Sequence, residues 1–493
     1  MEFYSPENTI CMKIRLLTLV FILSSGYALQ AQKMTKLKKA GLKEVEALTS
    51  QVTKLSQELW NFSETALKEA KSAKLLIDVL KKEGFRMEEN VAGMPTAFVA
   101  TYGKGKPVIG ILAEFDALPG VGNEPVPYKK KRTDGVTGGQ GCGHNLFGSA
   151  SVNAAIALKR LITKGKLNGT IKLFGTPAEE TVVGKVYMAK DGVFNGLDAV
   201  LEWHPATTNG VNYGKSLAMN NFEVEFFGQS AHGAADPWNG RSALDGVEMM
   251  NYGVNLMREH IYPTTRIHYV IPNGGGAPNV VPDYAKVWYF VRDTSRANVE
   301  KYYQRIQQIA KGASIATNTT YKVRLITGVH AYNRNEPMMK AIENNILLVG
   351  APKFTAEEQE WGKKLQKSTG KKEIGFKTDI KKMPKDWKKV LPSGGSTDVA
   401  EVSYITPTAG FGIATAPFGV PWHSWATSSS HGTSAGYRGA LAATKVLTLS
   451  GIDLFTNKKL LEAAKADFKK TTGGKAYKSP LPTGQKVILP KQK

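Results

Sequence analysis

Hydrophobic residues in the first part of the chain recur in two different periods. Val45, Leu48, Val52, Leu55 and Leu59 are spaced by three or four, so the pattern predicts helices over residues 36–60 and 64–83. Short apolar runs predict strands between them. The predicted strands are residues 96–101, 108–113, 171–176 and 199–203, and a helix is predicted over residues 149–164. Strands that alternate with helices favour an α/β fold with a mostly parallel sheet and helices on both faces.

The order of elements changes in the middle of the chain, where strands and helices follow a β-α-β-β-α-β pattern. The predicted elements are residues 221–228, 243–258, 266–271, 285–292, 298–313 and 322–328. This order is typical of a ferredoxin-like α+β domain, here inserted in the first domain. We place the parent domain at residues 32–216 and 331–455, the insertion at 217–330, and a polar tail, extended or disordered, at 456–493.

The N-terminus has the pattern of a secretion signal. Lys13 and Arg15 precede an apolar run over residues 16–23, and small residues up to Ala28 and Ala31 offer a cleavage site. The run is shorter than the roughly 20 residues of a membrane span, although an uncleaved anchor is the alternative. We therefore expect residues 1–31 to be a signal peptide and the protein to be periplasmic or secreted, without stable membrane insertion.

The formal net charge is +23, and much of the excess is lysine near the two ends and in a segment at residues 354–389. Nucleic-acid binding calls for basic residues interleaved with aromatic ones on one element, and the sequence has no such stripe, so we expect no nucleic-acid partner. A positive field attracts anionic substrates. The lysine-rich segment is predicted to be a lid or a partner surface.

Candidate metal ligands fall at predicted strand ends or loops of the parent domain. They are Cys142 with His144, the pair Glu179–Glu180, His204 and His423. Each has an ordinary explanation taken alone: a buried apolar thiol, a surface carboxylate or a polar histidine. In an exported protein an unpaired cysteine is also a candidate reactive thiol. Together, thiolate, imidazole and carboxylate suit zinc or a similar first-row ion.

Five ordered motifs resemble the M20 metallopeptidases, in particular their amidohydrolase branch. That branch includes aminoacylases for N-acyl and hippurate-type substrates, auxin-conjugate hydrolases and the aminobenzoyl-glutamate utilisation proteins, which the segments at 141–145 and 396–408 resemble most. The motifs are AEFDALP (113–119), GCGHN (141–145), TPAEE (176–180), GQSAHG (228–233) and APNVVP (277–282). The resemblance implies a zinc-peptidase-like fold.

The resemblance also implies one or two divalent ions, zinc or manganese, held by a particular set of residues. The implied ligands are Cys142, His144, Glu180, His204 and His423. Glu179 is then the general base, which takes a proton from water and gives it to the leaving amine. Asp116 would not bind the ion itself but would orient a histidine that does.

The family further implies that the insertion dimerises, as a homodimer or with a related subunit. His232 would then reach the partner's active site and stabilise the oxyanion. Asn279 and Arg292 match residues that bind the substrate carboxylate or carbonyl, and arginine suits a carboxylate because its fork binds two oxygens. An exposed strand-end arginine is the alternative for Arg292.

Two positions depart from the family pattern, and a third offers a rival ligand. Glu114 stands where many members have a metal-binding histidine, so this position is not expected to bind metal. Asn145 replaces an aspartate common after the histidine. His431 competes with His423 as the last ligand, and the Trp-His-Ser context favours His423.

The sequence thus predicts a metal-dependent amidohydrolase that cleaves N-acyl or aminobenzoyl amino acids, plausible substrates being glutamate conjugates. Three alternatives stay open: a dipeptidase of the same fold, a non-catalytic periplasmic binding protein on a hydrolase fold, and a thiol enzyme that uses Cys142 as nucleophile.

Overall fold

A computed structural model describes residues 34–214, 216–390 and 395–490. The predicted signal peptide lies outside the described residues. The compact unit Lys36–Lys493 carries all the elements discussed below. No helix in the described part of the chain is both long enough and apolar enough to cross a membrane.

The strands fall into two sheets. In chain order they are β1 (Arg86–Glu89), β2 (Phe98–Lys104), β3 (Val108–Ala113), β4 (Gly169–Gly175), β5 (Ala199–Ala206), β6 (Asn209–Val211), β7 (Ala218–Phe227), β8 (Arg266–Asn273), β9 (Tyr284–Asp293), β10 (Thr320–Val329), β11 (Ile380–Lys381) and β12 (Thr408–Ala414). Within the described residues, eight strands form a mixed sheet in the order β1-β2-β4-β3-β5-β12-β6-β11. The central pairs β4–β3, β3–β5 and β5–β12 are parallel, so their carboxyl ends share one edge.

The helices flank these sheets. In chain order they are α1 (Lys36–Glu46), α2 (Thr49–Phe62), α3 (Ala70–Lys82), α4 (His144–Thr163), α5 (Gly184–Lys190), α6 (Ala243–Met257), α7 (Arg296–Ala316), α8 (Glu336–Val349), α9 (Ala356–Ser368), α10 (Val399–Val402), α11 (Trp425–His431), α12 (Ser434–Thr456) and α13 (Lys458–Thr472). The central helices α4 and α12 pack against each other and against β3 and β5. Both are rich in alanine, serine and glycine, which lets them approach the sheet closely.

The second sheet has the antiparallel order β10-β7-β9-β8, with α6 and α7 packed on one face. Its core includes Phe222, Val247, Tyr289 and Ile306. The β-α-β-β-α-β order and this strand arrangement are those of a ferredoxin-like fold. The predicted fold class, a mostly parallel α/β sheet with an inserted α+β unit, is therefore confirmed.

Local differences from the sequence prediction concern element ends. The first helix divides at Ala47–Leu48, where the Thr49 hydroxyl donates to the Glu46 carbonyl. The helix predicted from residue 149 begins at His144, because a glycine-rich turn precedes it. The structure thereby places the GCGHN motif at the start of a helix rather than in a loop before one.

Two lysine-rich segments form helices. The expectation of an extended or disordered tail is wrong for α13, because its lysine, alanine and leucine residues are good helix formers and Asn457 caps its first turn. The segment at 354–389 contains α9, which starts with a capping box between Thr355 and Glu358. Arg438 of α12 donates to Glu358 at 2.8 Å, which fixes α9 to the main unit.

Candidate metal site and cavity

The first two candidate ligands are brought together by a left-handed turn. Gly143 has φ +82° and precedes α4, so Cys142 and His144 lie on either side of it. A Cβ at Gly143 would lie 2.8 Å from Pro205 and 2.9 Å from the His431 ring. Glycine is needed here both for the backbone conformation and for this close approach.

His144 is held in one orientation by Asp116. Its Nδ1 lies 2.9 Å from Asp116 Oδ1, and the other oxygen, Oδ2, accepts the Glu180 N–H at 2.9 Å. A proton on Nδ1 leaves the Nε2 lone pair available. Nε2 is buried and makes no hydrogen bond with the described residues, as expected of a ligand nitrogen supported by a carboxylate.

His204 and His423 approach the same point from other elements. His204, near the end of β5, places Nε2 3.4 Å from Cys142 Sγ, while its Nδ1 lies 2.7 Å from the Pro205 carbonyl. His423 lies in the loop before α11 with φ +53°, and its Nε2 is 3.5 Å from Glu180 Oε2. Such backbone strain at a non-glycine residue is typical of functional sites.

His431, the rival for the last ligand, has other partners. Its Nδ1 lies 2.6 Å from the Gln140 carbonyl and its Nε2 lies 3.1 Å from Thr415 Oγ1. Asn145 likewise donates to backbone carbonyls, those of Ser56 and His431. Both residues hold the GCGHN turn in place, and the geometry favours His423 as the ligand.

The candidate ligands form two groups that share the cysteine. Cys142, His144 and His204 make one, and Cys142, Glu180 and His423 make the other, with the ligand atoms of each group within 4.8 Å of one another. One sulfur, three imidazoles and a carboxylate match the preferences of zinc and similar ions. Because Cys142 belongs to both groups, the donor set would fit one ion or two. A third group contains Glu114, His144 and Glu179, so Glu114 also lies within reach of an ion despite the sequence expectation.

The electrostatics of these groups are those of a negatively charged pocket. Burial acts to lower the pKa of His144, but the charges of Cys142 and Glu114 raise it well above its ordinary value, and a bound cation would replace that proton. Burial lowers the pKa of His204 to about 4 and lowers that of His423, so both imidazoles are neutral and able to bind a metal. Burial, with the charge of Asp116 adding to it, raises the pKa of Glu180 to about 7. Burial also raises the pKa of the Cys142 thiol, which argues against a free thiolate nucleophile.

Glu179 lies beside the ligands on a strained turn. Its Oε2 is 3.9 Å from His144 Nε2, and Ala178 before it has φ +58°. Burial, reinforced by the charges of Glu114 and Asp398, raises the pKa of Glu179 well above its ordinary value. A carboxylate near the ligands with a raised pKa is suited to accept and return a proton.

A buried lysine lies behind this cluster. Lys185 Nζ, on α5, lies 2.8 Å from Glu114 Oε1 and 2.5 Å from Asp398 Oδ1, and its side chain is 0% exposed. The other Glu114 oxygen is 3.1 Å from His144 Nε2. Glu114 thus forms an ion pair at the position where many family members have histidine, and Lys185 balances part of the negative charge around the ligands.

The ligands open into a cavity of about 780 Å³. Arg292 of β9 lines it: the guanidinium lies 5.3 Å from the Phe290 ring centre, and no described residue forms an ion pair with it. Its Nε is buried without a hydrogen bond to the described residues. The sequence alternative of an exposed strand-end arginine does not fit this burial. Glu202 and Tyr332 also line the cavity.

Two predicted residues lie apart from the cavity of this chain. His232 is exposed, and its Nδ1 accepts the N–H groups of Ala234 and Ala235. Asn279 is exposed as well, and its carbonyl accepts the Gly233 N–H at 2.8 Å. The two segments pair through a bridge between His232 and Val280, so they form one surface of the inserted unit.

Sequence reasoning missed four buried residues around the site: Lys185, Asp398, Glu202 and Glu69. Glu69 accepts the Ala178 N–H at 2.9 Å and the Thr96 hydroxyl at 3.0 Å, and so supports the turn before Glu179. Asp398 lay within a recognised motif, and Glu202 is two residues before His204. Nothing in the local sequence distinguished Lys185 and Glu69 from the many lysines and glutamates at the surface.

Comparisons with known proteins agree with this geometry. The profile of the family described as "Peptidase family M20/M25/M40" matches residues 110–416. One of the subunits of p-aminobenzoyl-glutamate hydrolase from Escherichia coli is 33% identical over 89% of this chain and 96% of its own length. The sequence resemblance to that branch is thereby confirmed.

Two further proteins show the breadth of the similarity. The Xaa-Arg dipeptidase of Mus musculus is 26% identical over 89% of this chain and 94% of its own length. The crystal structure of a Bacillus subtilis protein, described as a dinuclear metal-binding peptidase of the M20 family, superposes with a TM-score of 0.55 and 18% identity over 83% of this chain and 99% of that one. That structure supports the fold.

Proposed function

This chain belongs to peptidase family M20/M25/M40 and is a hydrolase of amide bonds, and we propose that it cleaves N-acyl or aminobenzoyl amino acids, glutamate conjugates among them. The observation that carries the proposal is the pair of ligand groups sharing Cys142, beside the Glu179 carboxyl and open to a cavity lined by Arg292, which forms no ion pair with the described residues.

The proposed metal ligands are Cys142, His144, Glu180, His204 and His423. A zinc or manganese ion held by these residues would supply Lewis acidity at the scissile carbonyl and would lower the pKa of water toward about 7. Asp116 keeps His144 in the ligand tautomer and fixes the backbone of Glu180. That the ion is zinc or manganese, and that one or two ions bind, are parts of this proposal.

The other residues bind substrate and move protons. Glu179 takes a proton from the attacking water and delivers it to the leaving amine nitrogen. Arg292 binds a carboxylate of the amino-acid part, since its guanidinium lines the cavity and has no acidic partner in the part of the chain that the structure describes. Glu69 and the strained Ala178 hold Glu179 at the edge of the ligand cluster.

We extend the proposal to assembly and location. His232 and Asn279 lie on an exposed surface of the inserted unit, which suits residues that complete the active site of a second subunit. The Escherichia coli relative is named as one of the subunits of its hydrolase. The proposed partner can therefore be a related subunit as well as a second copy of this chain. The N-terminal pattern supports export to the periplasm or beyond.

The experiment is a release assay for free amine. Purified protein supplied with Mn²⁺ or Zn²⁺ should hydrolyse at least one of p-aminobenzoyl-glutamate, benzoyl-glycine and N-acetyl amino acids, and chelation should abolish the activity. Absence of turnover on the whole panel, with the ion measured as bound, would overturn the proposal.

A dipeptidase is the second candidate, favoured by the similarity to the Xaa-Arg dipeptidase. The substrates of both named relatives carry an amino group on the acyl side of the scissile amide: an aminobenzoyl group in one case and an aminoacyl residue in the other. Comparing one dipeptide with its N-acetyl form separates the candidates, because a dipeptidase requires the free amine.

A further inference from the structure

Glu202 is a buried acid that lines the cavity without a role in the chemistry above. It lies two residues before His204 on β5, and side chains two apart on a strand face the same side. Gly410 of β12 pairs with it in register, and a Cβ there would lie 1.5 Å from Glu202 Oε1. Because glycine has no side chain, position 410 leaves room for the Glu202 carboxyl.

The hydrogen bonds to this carboxyl are long and weak. Glu202 Oε1 lies 3.5 Å from Asn212 Nδ2 and 3.4 Å from the Tyr332 hydroxyl, both near the limit for a hydrogen bond. Among the described residues, no lysine, arginine or histidine forms an ion pair with it, and its Oε2 has no donor. The side chain is nevertheless only 3% exposed. Glu202 therefore keeps unused capacity to accept hydrogen bonds at the cavity wall.

The cavity thus contains two complementary polar groups. Arg292 offers donors to an anion, and Glu202 offers an acceptor to a nitrogen. If Arg292 binds the carboxylate of the amino-acid part, a donor for Glu202 has to come from elsewhere on the substrate. The conjugates proposed above carry such a donor on their acyl part.

We propose that Glu202, flanked by Tyr332 and Asn212, determines specificity by accepting a hydrogen bond from an amino group on the acyl part of the substrate. This inference rests on the proposed amidohydrolase function and names the substrate class more closely: aminobenzoyl or aminoacyl conjugates. The contact does not require the amine to be charged, because an aromatic amine donates as well.

The experiment compares p-aminobenzoyl-glutamate with p-methylbenzoyl-glutamate, which has a similar size and no donor. kcat/KM is measured on the full chain loaded with Mn²⁺ or Zn²⁺. Wild type should prefer the amino substrate by roughly threefold to tenfold, the factor for one net hydrogen bond. Glu202→Met should bring the ratio to about 1 and leave the rate on the methyl substrate within about threefold.

A matched control is Glu225→Met, on β7 of the other sheet, where the glutamate accepts a bond from Tyr284. It should leave the ratio unchanged. Comparing variants on the same two substrates cancels their electronic difference. Glu202→Gln keeps the shape and a neutral acceptor, so an intermediate ratio is expected; it serves as the second variant if Glu202→Met does not fold.

A wild-type ratio near 1, or an unchanged ratio in Glu202→Met, would overturn the inference while leaving the proposed function intact. A Glu202-dependent preference for benzoyl-lysine over benzoyl-norleucine, without a preference for the aminobenzoyl group, would overturn the placement on the acyl part. Turnover of none of these conjugates would overturn the proposed function and this inference with it.

Discussion

Replacing Lys185 by Met should destabilise the protein through the buried ion cluster behind the ligands. The lysine is fully buried and contacts two carboxylates, Glu114 at 2.8 Å and Asp398 at 2.5 Å. Methionine has a similar length and no charge. The substitution leaves two carboxylates facing each other without a counter-charge, in a region already crowded by Glu179 and Glu180.

The magnitude follows from the cost of breaking a buried pair. Removing one partner costs roughly 3–5 kcal/mol, because the remaining charge is desolvated and unpaired. An unfolding entropy of about 2 cal/mol/K per residue gives about 1 kcal/mol per degree for a unit of this size. If the unit unfolds cooperatively, Tm should therefore fall by about 3–5 °C.

The assay is thermal unfolding of metal-free protein, since a bound cation would compensate part of the lost charge. Lys190→Met is the matched control on the same helix, where the lysine pairs with Asp191 at the surface, and it should change stability by less than about 0.5 kcal/mol. Adding Glu114→Gln and Asp398→Asn to Lys185→Met should recover most of the loss. A Tm of Lys185→Met equal to that of wild type would refute the reasoning.

Three further outcomes are expected at the site. Glu69→Ala should lower kcat about tenfold with metal content unchanged, whereas Glu69→Gln, which still accepts the Ala178 N–H, should stay near wild type; equal rates in both would contradict this role. Asp116→Asn should weaken metal binding about 10–100-fold in chelator competition, because His144 loses its supporting carboxylate, and unchanged affinity would count against it. Alkylation of Cys142 should be slow with the ion bound and faster after chelation; equal rates would argue that its sulfur is not a ligand.

The elements of the fold were largely predictable because local periodicity marks them. The six elements of the inserted unit appeared in the right order, since alternating strands and amphipathic helices each carry their own pattern. Element ends were less predictable. The start of α4 at His144 depends on the left-handed Gly143, and the division before Thr49 falls at a local contact between the Thr49 hydroxyl and the Glu46 carbonyl.

The site was predictable only where motifs carried it. Cys142, His144 and Glu180 lie in recognisable motifs, and the structure brings them together with His204 and His423. The residues that support them come from distant parts of the chain and meet only through tertiary packing. Lys185 is one of 65 lysines and arginines, and nothing in its local sequence distinguishes it from a surface lysine.

The most direct test of the central claim is the turnover of Glu179→Gln, measured together with its ion content. The amide keeps the shape of the side chain but cannot accept the proton, so amine release from p-aminobenzoyl-glutamate should fall at least about a hundredfold. The bound ion per chain should equal that of wild type. Turnover at the wild-type rate with the ion retained would contradict a hydrolase in which Glu179 is the base beside a Cys142-centred metal site.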